Sequence, residues 1–147
     1  MRWTPHTTAA TIVEDNGRFL LVEELSGGRL VLNQPAGHLE QNERLVEAAR
    51  RETLEETGWH VEPEYLLGLY IYRSTHNGIT YHRACFSARA LEHDPHRPLD
   101  EGIQRALWLT RDEVAAHADR LRSAMVLKCI DDYLAGIRYP LSLIHEF

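Results

Sequence analysis

Runs of apolar residues separated by short turn signals define most of the predicted strands in this chain. The stretches TTAATIV and FLLVEEL lie on either side of Asn16-Gly17. Asn-Gly is a strong signal for a tight β-hairpin, because both residues tolerate the positive φ angles that such a turn requires. After a Gly27-Gly28 turn, LVLN predicts another short strand, and residues 34–37 (Gln-Pro-Ala-Gly) then interrupt regular structure.

A helical pattern follows this interruption. Residues 43–57 are mostly strong helix formers. Asn42 can cap the first turn through its side-chain oxygen, and Gly58 suits the left-handed position after the last turn. We therefore expect an α-helix from Glu43 to Thr57.

The second half of the chain continues this alternation of strands and helices. YLLGLYIYRS and ITYHRACFSARAL predict a second hairpin around Asn77-Gly78, and IQRALWL predicts a further strand. Thr110 can cap a helix in RDEVAAHA, and another helix is expected from Ser123 to Ala135, before Gly136. This order predicts one domain over residues 1–147, with a mixed β-sheet covered by helices on its faces, in the α/β or α+β class.

Composition narrows the class of protein. No apolar run approaches the ~20 residues that a membrane-spanning helix needs, and the N-terminus lacks the apolar core of a secretory signal. The net charge of -6 argues against a nucleic-acid polymer as partner, because phosphate backbones are bound through excess Lys and Arg. Cys85 and Cys129 are the two cysteines and are widely separated in the sequence, so the sequence indicates neither a disulfide framework nor a thiolate zinc site. We expect a cytoplasmic protein with no membrane partner.

Three glutamates lie close together in RRETLEETGW, near the end of the predicted helix. At 3.6 residues per turn, Glu52, Glu55 and Glu56 share one helical face. One interpretation is a solvated face with i,i+4 ion pairs, since Glu47 and Arg51 have that spacing, as do Arg51 and Glu55. The other is a magnesium site, because Mg²⁺ prefers a few carboxylates together with phosphate oxygens. A bound divalent cation would also let an acidic protein accept an acidic substrate.

The residues around the glutamates favour the magnesium interpretation. The stretch GHLEQNERLVEAARRETLEETGW resembles the Nudix box, in which seven residue identities have fixed spacing. The matching residues are Gly37, Glu43, Arg51, Glu52, Glu55, Glu56 and Gly58. Thr53 departs from the family's preference for an aliphatic residue, which affects packing more than metal binding. The box is a highly specific motif, and with further similarity on both sides of it the resemblance covers most of the chain.

The resemblance implies a Nudix fold and the attack of water on a phosphoanhydride, with Mg²⁺ or Mn²⁺ as cofactor. In that scheme Glu55 and Glu56 bind the metal directly, and the Ala36 carbonyl is a third ligand. Glu52 binds a metal-linked water and acts as the general base. Arg51 orients Glu52 through a charge-assisted hydrogen bond.

Two further acids are candidates for the same metal site. Glu43 at the helix start takes part in the outer shell of the metal, or else it stabilises the positive end of the helix dipole. Family members often recruit another carboxylate from a distant loop, and Asp100-Glu101 precede the last predicted strand. We favour Glu101 as that ligand; the alternative is an exposed acid in a turn.

Substrate contacts are expected around the glycine turn and in the second hairpin. The resemblance favours Arg83 as a phosphate ligand, although a strand arginine can equally be solvated. His38 and Gln34 flank Gly37, and these three residues are candidates to contact the phosphate or the base. Tyr81 is a candidate to stack on a base, since aromatic side chains in strands can provide such a surface.

The resemblance implies a hydrolase that releases phosphate from nucleoside tri- and diphosphates and from hydroxymethylpyrimidine diphosphate, a thiamin precursor. One alternative is a dinucleoside polyphosphate or ADP-sugar pyrophosphatase, which shares the box. Another is a Nudix-fold module that binds a nucleotide without cleaving it, although all four box glutamates are present here. The expected partner is a small-molecule diphosphate or nucleotide, and the protein is expected to be a monomer or a homodimer.

Overall fold

Seven β-strands and three α-helices, with two short 3₁₀ turns, form the protein. The computed structural model describes residues 1–147. The strands are β1 (His6–Asp15), β2 (Arg18–Ser26), β3 (Arg29–Asn33), β4 (Ala36–His38), β5 (Trp59–Arg73), β6 (Thr80–His93) and β7 (Ile103–Thr110). The helices are α1 (Leu45–Thr57), α2 (Arg111–Ala116) and α3 (Met125–Leu134).

The strands form a mixed sheet. Its main path has the order β3-β2-β1-β6-β5, while β4 pairs with β1 and β7 pairs with β2. β1 and β6 run parallel, and the other strand pairs are antiparallel. The predicted mixed sheet and the α+β class are therefore confirmed.

Alternation along β1 sends neighbouring side chains to cores on opposite faces of the sheet. Ala9 packs with Ala48 and Ala49 of α1. The next residue, Ala10, packs on the opposite face with Val126 of α3. The α1 core also contains Leu66, Ala84 and Phe86, and the opposite core contains Leu67, Cys85, Val114, Cys129 and Ile130. Helix α1 thus covers one face of the sheet, and α2 and α3 cover the other.

The start of α1 differs from the prediction. The helix begins at Leu45 after the N-cap residue Arg44, so Asn42 is not the cap. Asn42 has a φ of 64°, a left-handed conformation that asparagine tolerates well, and it lies in a turn before the helix. The Leu45 N–H donates to Oε2 of Glu146, in the C-terminal tail, at 2.9 Å. This contact from a distant part of the chain adds to a local one, in which the Arg44 N–H donates to Glu47 Oε2 at 3.4 Å. Glu43 lies outside the helix.

Most other boundaries agree with the sequence patterns. Asn16 and Gly17 form the first hairpin turn with φ angles of 51° and 79°, and Thr110 caps α2 by accepting the Glu113 N–H. The interruption predicted over residues 34–37 was partly wrong, because residues from Ala36 onward pair with β1 as strand β4. None of the α-helices has the length and apolar character needed to cross a membrane.

Gly58 ends α1 in a conformation that an alanine would adopt only with strain. Its φ is 75°, and a Cβ atom there would lie 2.9 Å from the Asp94 carbonyl oxygen. We expect Gly58→Ala to lower the free energy of unfolding by about 2 kcal/mol or more, measured by urea denaturation, because left-handed strain and a steric clash add. Gly78→Ala is the matched control: φ is 72° there, but an added Cβ meets nothing within 4 Å. It should cost about 1 kcal/mol, and equal losses would contradict a role for the Asp94 contact.

Candidate active site

A cavity of about 550 Å³ lies beside strand β4, helix α1 and the turn that joins β5 to β6. Ala36 and Gly37 of β4 line it together with Glu52 and Glu56 of α1. Arg83 of β6 also contributes to its wall, as do residues at the ends of β2 and β3. The cavity therefore brings together the glycine turn, the glutamate-bearing helix and a strand from the second hairpin.

Gly37 allows strand β4 to approach α1 closely. A Cβ atom at Gly37 would lie 2.0 to 2.3 Å from the carboxyl atoms of Glu52. Any larger residue would therefore displace this carboxyl group, since no side chain can approach another so closely. Gly37 is required here for the space it leaves beside Glu52, whereas the predicted contact between Gly37 and the substrate stays a prediction.

Three carboxylates from α1 and a distant loop form an acid cluster, which consists of Glu52, Glu55 and Asp100. One ligand oxygen from each lies within 4.8 Å of the others. Asp100 is tied to the helix because its N–H donates to the Glu55 carbonyl oxygen at 3.0 Å. Glu101, the acid favoured from the sequence, is exposed and is not part of the cluster. Glu52 belongs to both the acid cluster and the cavity wall, so it connects the two.

The Arg51 guanidinium donates hydrogen bonds to three glutamates and forms a longer ion pair with a fourth, Glu40, at 3.5 Å. Its Nη1 atom donates to Glu52 Oε1 at 2.7 Å and to Glu55 Oε2 at 3.3 Å. Its Nε and Nη2 atoms donate to the two oxygens of Glu43 at 2.6 and 3.0 Å, and Nη2 also donates to the His38 carbonyl at 2.9 Å. The hydrogen bonds from Arg51 hold the pKa of Glu43 below its usual value. Glu43 is thus an ion-pair partner of Arg51 and lies outside the acid cluster.

Burial and mutual repulsion disfavour the ionised forms of these glutamates. Burial raises the pKa of Glu52; Arg51 opposes this shift, while the charges of Glu55 and Asp100 add to it. Burial likewise raises the pKa of Glu56 to about 8, although the Ala36 N–H donates to Glu56 Oε1 at 3.0 Å and opposes the shift. The site therefore concentrates negative charge that its own cations do not fully compensate.

These residues fit a hard divalent cation. Such ions take oxygen ligands, and the acid cluster provides three carboxylates at mutual distances that one ion can bridge. The raised pKa values of Glu52 and Glu56 also favour a bound cation, because it would stabilise the ionised carboxylates. Glu56 lies beside the cluster and is directed to the Ala36 N–H. The Ala36 carbonyl as a metal ligand stays a prediction.

Arg83 introduces a buried positive charge into the cavity. The residue is 7% exposed and lines the cavity wall. Its Nε donates to Thr8 Oγ1 at 3.3 Å, whereas Nη1 is buried without a hydrogen-bond partner. Burial lowers the pKa of Arg83, as is typical of a cation with no paired carboxylate. A buried, incompletely bonded guanidinium is costly unless an anion binds it, which favours the predicted phosphate contact.

The other predicted substrate contacts differ in their positions. His38 and Tyr81 both line the cavity. His38 Nε2 lies 3.1 Å from Nδ1 of His6, and burial, together with the nearby His6, lowers the pKa of His38. Gln34 is fully buried, and its Nε2 donates to Cys85 Sγ at 3.2 Å. Because its side chain is directed into the core and away from the cavity lining, Gln34 is not positioned to contact a substrate there.

Sequence reasoning missed one residue of the cavity, and in the distant loop it favoured Glu101, whereas the structure places Asp100 in the acid cluster. Asn33, at the end of β3, is 7% exposed and lines the cavity. Its only sequence signal is a polar residue where the run LVLN ends, which matches no chemical motif. Asp100 and Glu101 are adjacent acids, and the backbone hydrogen bond from Asp100 to Glu55 that distinguishes them depends on tertiary structure.

Comparison with known proteins identifies the family of this chain. The family model of the NUDIX domain matches residues 4–128. The chain is 38% identical to phosphatase NudJ from Escherichia coli K12 over 143 residues, which cover 97% of this chain and 92% of that protein. Phosphatase NudJ from Shigella flexneri gives the same identity and coverage.

Solved structures show the same relationship. A NUDIX hydrolase from Nitrosomonas europaea has a TM-score of 0.96 and 45% identity, with 98% of both chains covered. A MutT NUDIX hydrolase from Burkholderia pseudomallei has a TM-score of 0.75 and 20% identity, covers 88% of this chain and 98% of that chain, and indicates a shared fold. The box residues, the site that they form and the family match lead to one assignment. This chain belongs to the Nudix family of hydrolases, and it acts on phosphoanhydride bonds.

Proposed function

We propose that this protein is a Mg²⁺-dependent hydrolase that releases phosphate from nucleoside tri- and diphosphates and from hydroxymethylpyrimidine diphosphate. The observation that carries the proposal is the position of Glu52, which lies in both the acid cluster and the wall of the cavity that Arg83 lines. A cation at the acid cluster and the Arg83 guanidinium would bind different phosphate groups of one substrate. The similarity to phosphatase NudJ supports phosphate release as the reaction.

Four carboxylates would hold the cation, with the Ala36 carbonyl as a further ligand. They are Glu52, Glu55, Glu56 and Asp100, and the ion would be Mg²⁺ or Mn²⁺. When bound, such an ion neutralises phosphate oxygens and lowers the pKa of water. The protein's contribution is to hold its acids close together in advance, with Arg51 compensating part of their charge.

Glu52 would accept the proton of the attacking water. It lies in both the acid cluster and the cavity wall, and a cation bound at the cluster would lower the pKa of water and so ease proton transfer to the carboxylate. Arg51 donates to Glu52 Oε1 at 2.7 Å and so fixes the orientation of the carboxylate. Gly37 leaves the space that this orientation requires.

Arg83 would bind a phosphate group inside the cavity. Its unpartnered Nη1 is a charged donor, and a guanidinium forms strong charge-assisted hydrogen bonds with phosphate oxygens. His38 and Tyr81 line the same cavity and would contact the phosphate or the ring of the substrate. Gly37 would contribute a backbone contact where β4 faces the cavity.

Glu52→Gln is the variant that tests the proposal, with Glu47→Gln as a matched control on the same helix. We expect Glu52→Gln to lower kcat/KM for phosphate release in Mg²⁺ by about 10²- to 10⁴-fold, because a base and a cation ligand are both lost. The melting temperature should not fall, since the amide removes a buried charge that Glu55 and Asp100 repel. Glu47 is exposed and outside the cavity, so Glu47→Gln should keep its activity within about twofold.

The same assays distinguish this reaction from its alternatives. Orthophosphate and pyrophosphate are measured separately with nucleoside triphosphates, hydroxymethylpyrimidine diphosphate and ADP-ribose. Orthophosphate from the first two is the expected result, whereas cleavage of ADP-ribose alone would favour an ADP-sugar pyrophosphatase. Full activity of Glu52→Gln would contradict the proposal. Tight nucleotide binding in Mg²⁺ without any product would instead support a binding module.

Asp100 and Glu101 provide a test of the cation ligands, because they are adjacent acids of which one belongs to the acid cluster. We expect Asp100→Asn to raise the Mg²⁺ concentration that gives half-maximal activity by about 10-fold or more, the scale on which supporting metal contacts act. Glu101→Gln should leave that concentration unchanged within about twofold. The reverse pattern would show that the distant loop contributes Glu101. If neither variant changes that concentration, the loop contributes no ligand to the metal site.

A further inference from the structure

The loop between β6 and β7, residues 94–102, carries Asp100 of the acid cluster but buries little of its own surface. All of its residues are exposed except Leu99 and Gly102, which are half-buried. A segment with so few buried apolar contacts is not held in place by packing. Its position must therefore be fixed by hydrogen bonds and by the residues at its ends.

Two backbone hydrogen bonds tie this loop to the C-terminal end of α1. The Asp94 N–H donates to the Gly58 carbonyl at 2.8 Å, and the Asp100 N–H donates to the Glu55 carbonyl at 3.0 Å. The last carbonyls of a helix have no partner within the helix, so the loop supplies donors that α1 lacks. The loop is thereby docked on the helical turn that bears Glu55 and Glu56.

A stacked pair of rings lies where the loop begins. Trp59 and His93 are opposite each other on β5 and β6. Their ring centroids are 4.7 Å apart, and the ring planes are inclined by 16°. Trp59 also meets Trp108 of β7 edge to face at 5.5 Å, and both tryptophans pack against the core. Trp59 is thus a fixed support for the ring of His93, which is exposed.

The stack lies next to the first of the two hydrogen bonds. His93 directly precedes Asp94 in the chain, and Trp59 directly follows Gly58. The stacked rings and the Asp94–Gly58 hydrogen bond therefore hold the same end of the loop. Two prolines restrict the backbone between this end and Asp100. A fixed start consequently narrows the positions that the Asp100 carboxylate can reach, and it lowers the entropy lost when that carboxylate joins the cluster.

We propose that His93 is a positioning residue for the cation site, which stacks on Trp59, fixes the start of the loop and so holds Asp100 in the acid cluster. The inference rests on the proposed function, in which Asp100 is a cation ligand. His93 belongs neither to the acid cluster nor to the cavity lining. It acts on the cation only through Asp100.

Calorimetric titration with Mn²⁺, in the absence of substrate, measures the effect of His93 on cation affinity. We expect His93→Ala to raise the Mn²⁺ dissociation constant by about three- to tenfold, the scale of one lost aromatic contact. His93→Phe keeps a ring that can stack on Trp59 and should stay within about twofold of the unsubstituted protein. His96→Ala is the matched control, because His96 is an exposed histidine of the same loop outside the stack, and it should also stay within about twofold.

Two further measurements show whether His93 acts through Asp100. In the Asp100→Asn background, His93→Ala should cause no additional loss of Mn²⁺ affinity, because the carboxylate that it positions is already absent. Hydrogen exchange of the Asp100 amide, followed by NMR without any metal ion, should be faster in His93→Ala than in His96→Ala. The reason is that the hydrogen bond to Glu55 opens more often once the loop start is free.

The outcomes separate this inference from the proposed function. An unchanged dissociation constant or unchanged Asp100 exchange in His93→Ala, while Asp100→Asn weakens Mn²⁺ binding, overturns the role of His93 and leaves the cation site intact. Equal losses from His93→Ala with and without the Asp100 carboxylate show a general loosening of the protein and also overturn it. If Asp100→Asn itself leaves Mn²⁺ affinity unchanged, the inference fails and only the acids of α1 are ligands. No Mn²⁺ binding by the unsubstituted protein refutes the proposed function and this inference together.

Discussion

Negative charge is concentrated on one face of α1. The hydrogen bonds and ion pairs of Arg51 with these glutamates reduce the repulsion between them. A single guanidinium binds Glu43, Glu52 and Glu55 and also holds the His38 carbonyl next to the cavity. Like charges one turn apart cost a helix a few tenths of a kcal/mol in water, but more where burial reduces screening. Arg51 offsets part of that cost, but the pKa of Glu52 is still raised, first by burial and further by the charges of Glu55 and Asp100. The remaining imbalance is what a divalent cation would neutralise.

The same imbalance explains how an acidic chain can act on an acidic substrate. The net charge of -6 gives no general attraction for phosphate. In the proposed function, positive charge is supplied locally, by the cation at the acid cluster and by buried Arg83 in the cavity wall. Glu52 belongs to both regions, so the proposed water activation and phosphate binding would involve the same side chain. This position of the Glu52 carboxyl group requires glycine at position 37, because any side chain there would occupy the same space.

Much of the fold and part of the site could be predicted from the sequence, since local spacing carries that information. The i, i+3 and i+4 spacing placed the glutamates on one helical face, and the turn glycines marked the hairpins correctly. Thr53 replaces an aliphatic residue at a fully buried position, and its hydroxyl is satisfied by the Ala49 carbonyl and by Thr11. The start of α1, by contrast, includes a hydrogen bond from Leu45 to Glu146 in the C-terminal tail, which no local pattern reveals. The choice of Asp100 over Glu101 and the position of Asn33 depend on tertiary contacts in the same way.

We expect the acid cluster to bind a divalent cation beside the phosphate cavity. Crystals grown with Mn²⁺, which scatters anomalously, provide the test. An anomalous peak is expected within coordination distance of the acid cluster and Glu56, at Mn²⁺ concentrations that support phosphate release. A map without a peak at these carboxylates, or with peaks only elsewhere in the protein, would refute cation binding at this site.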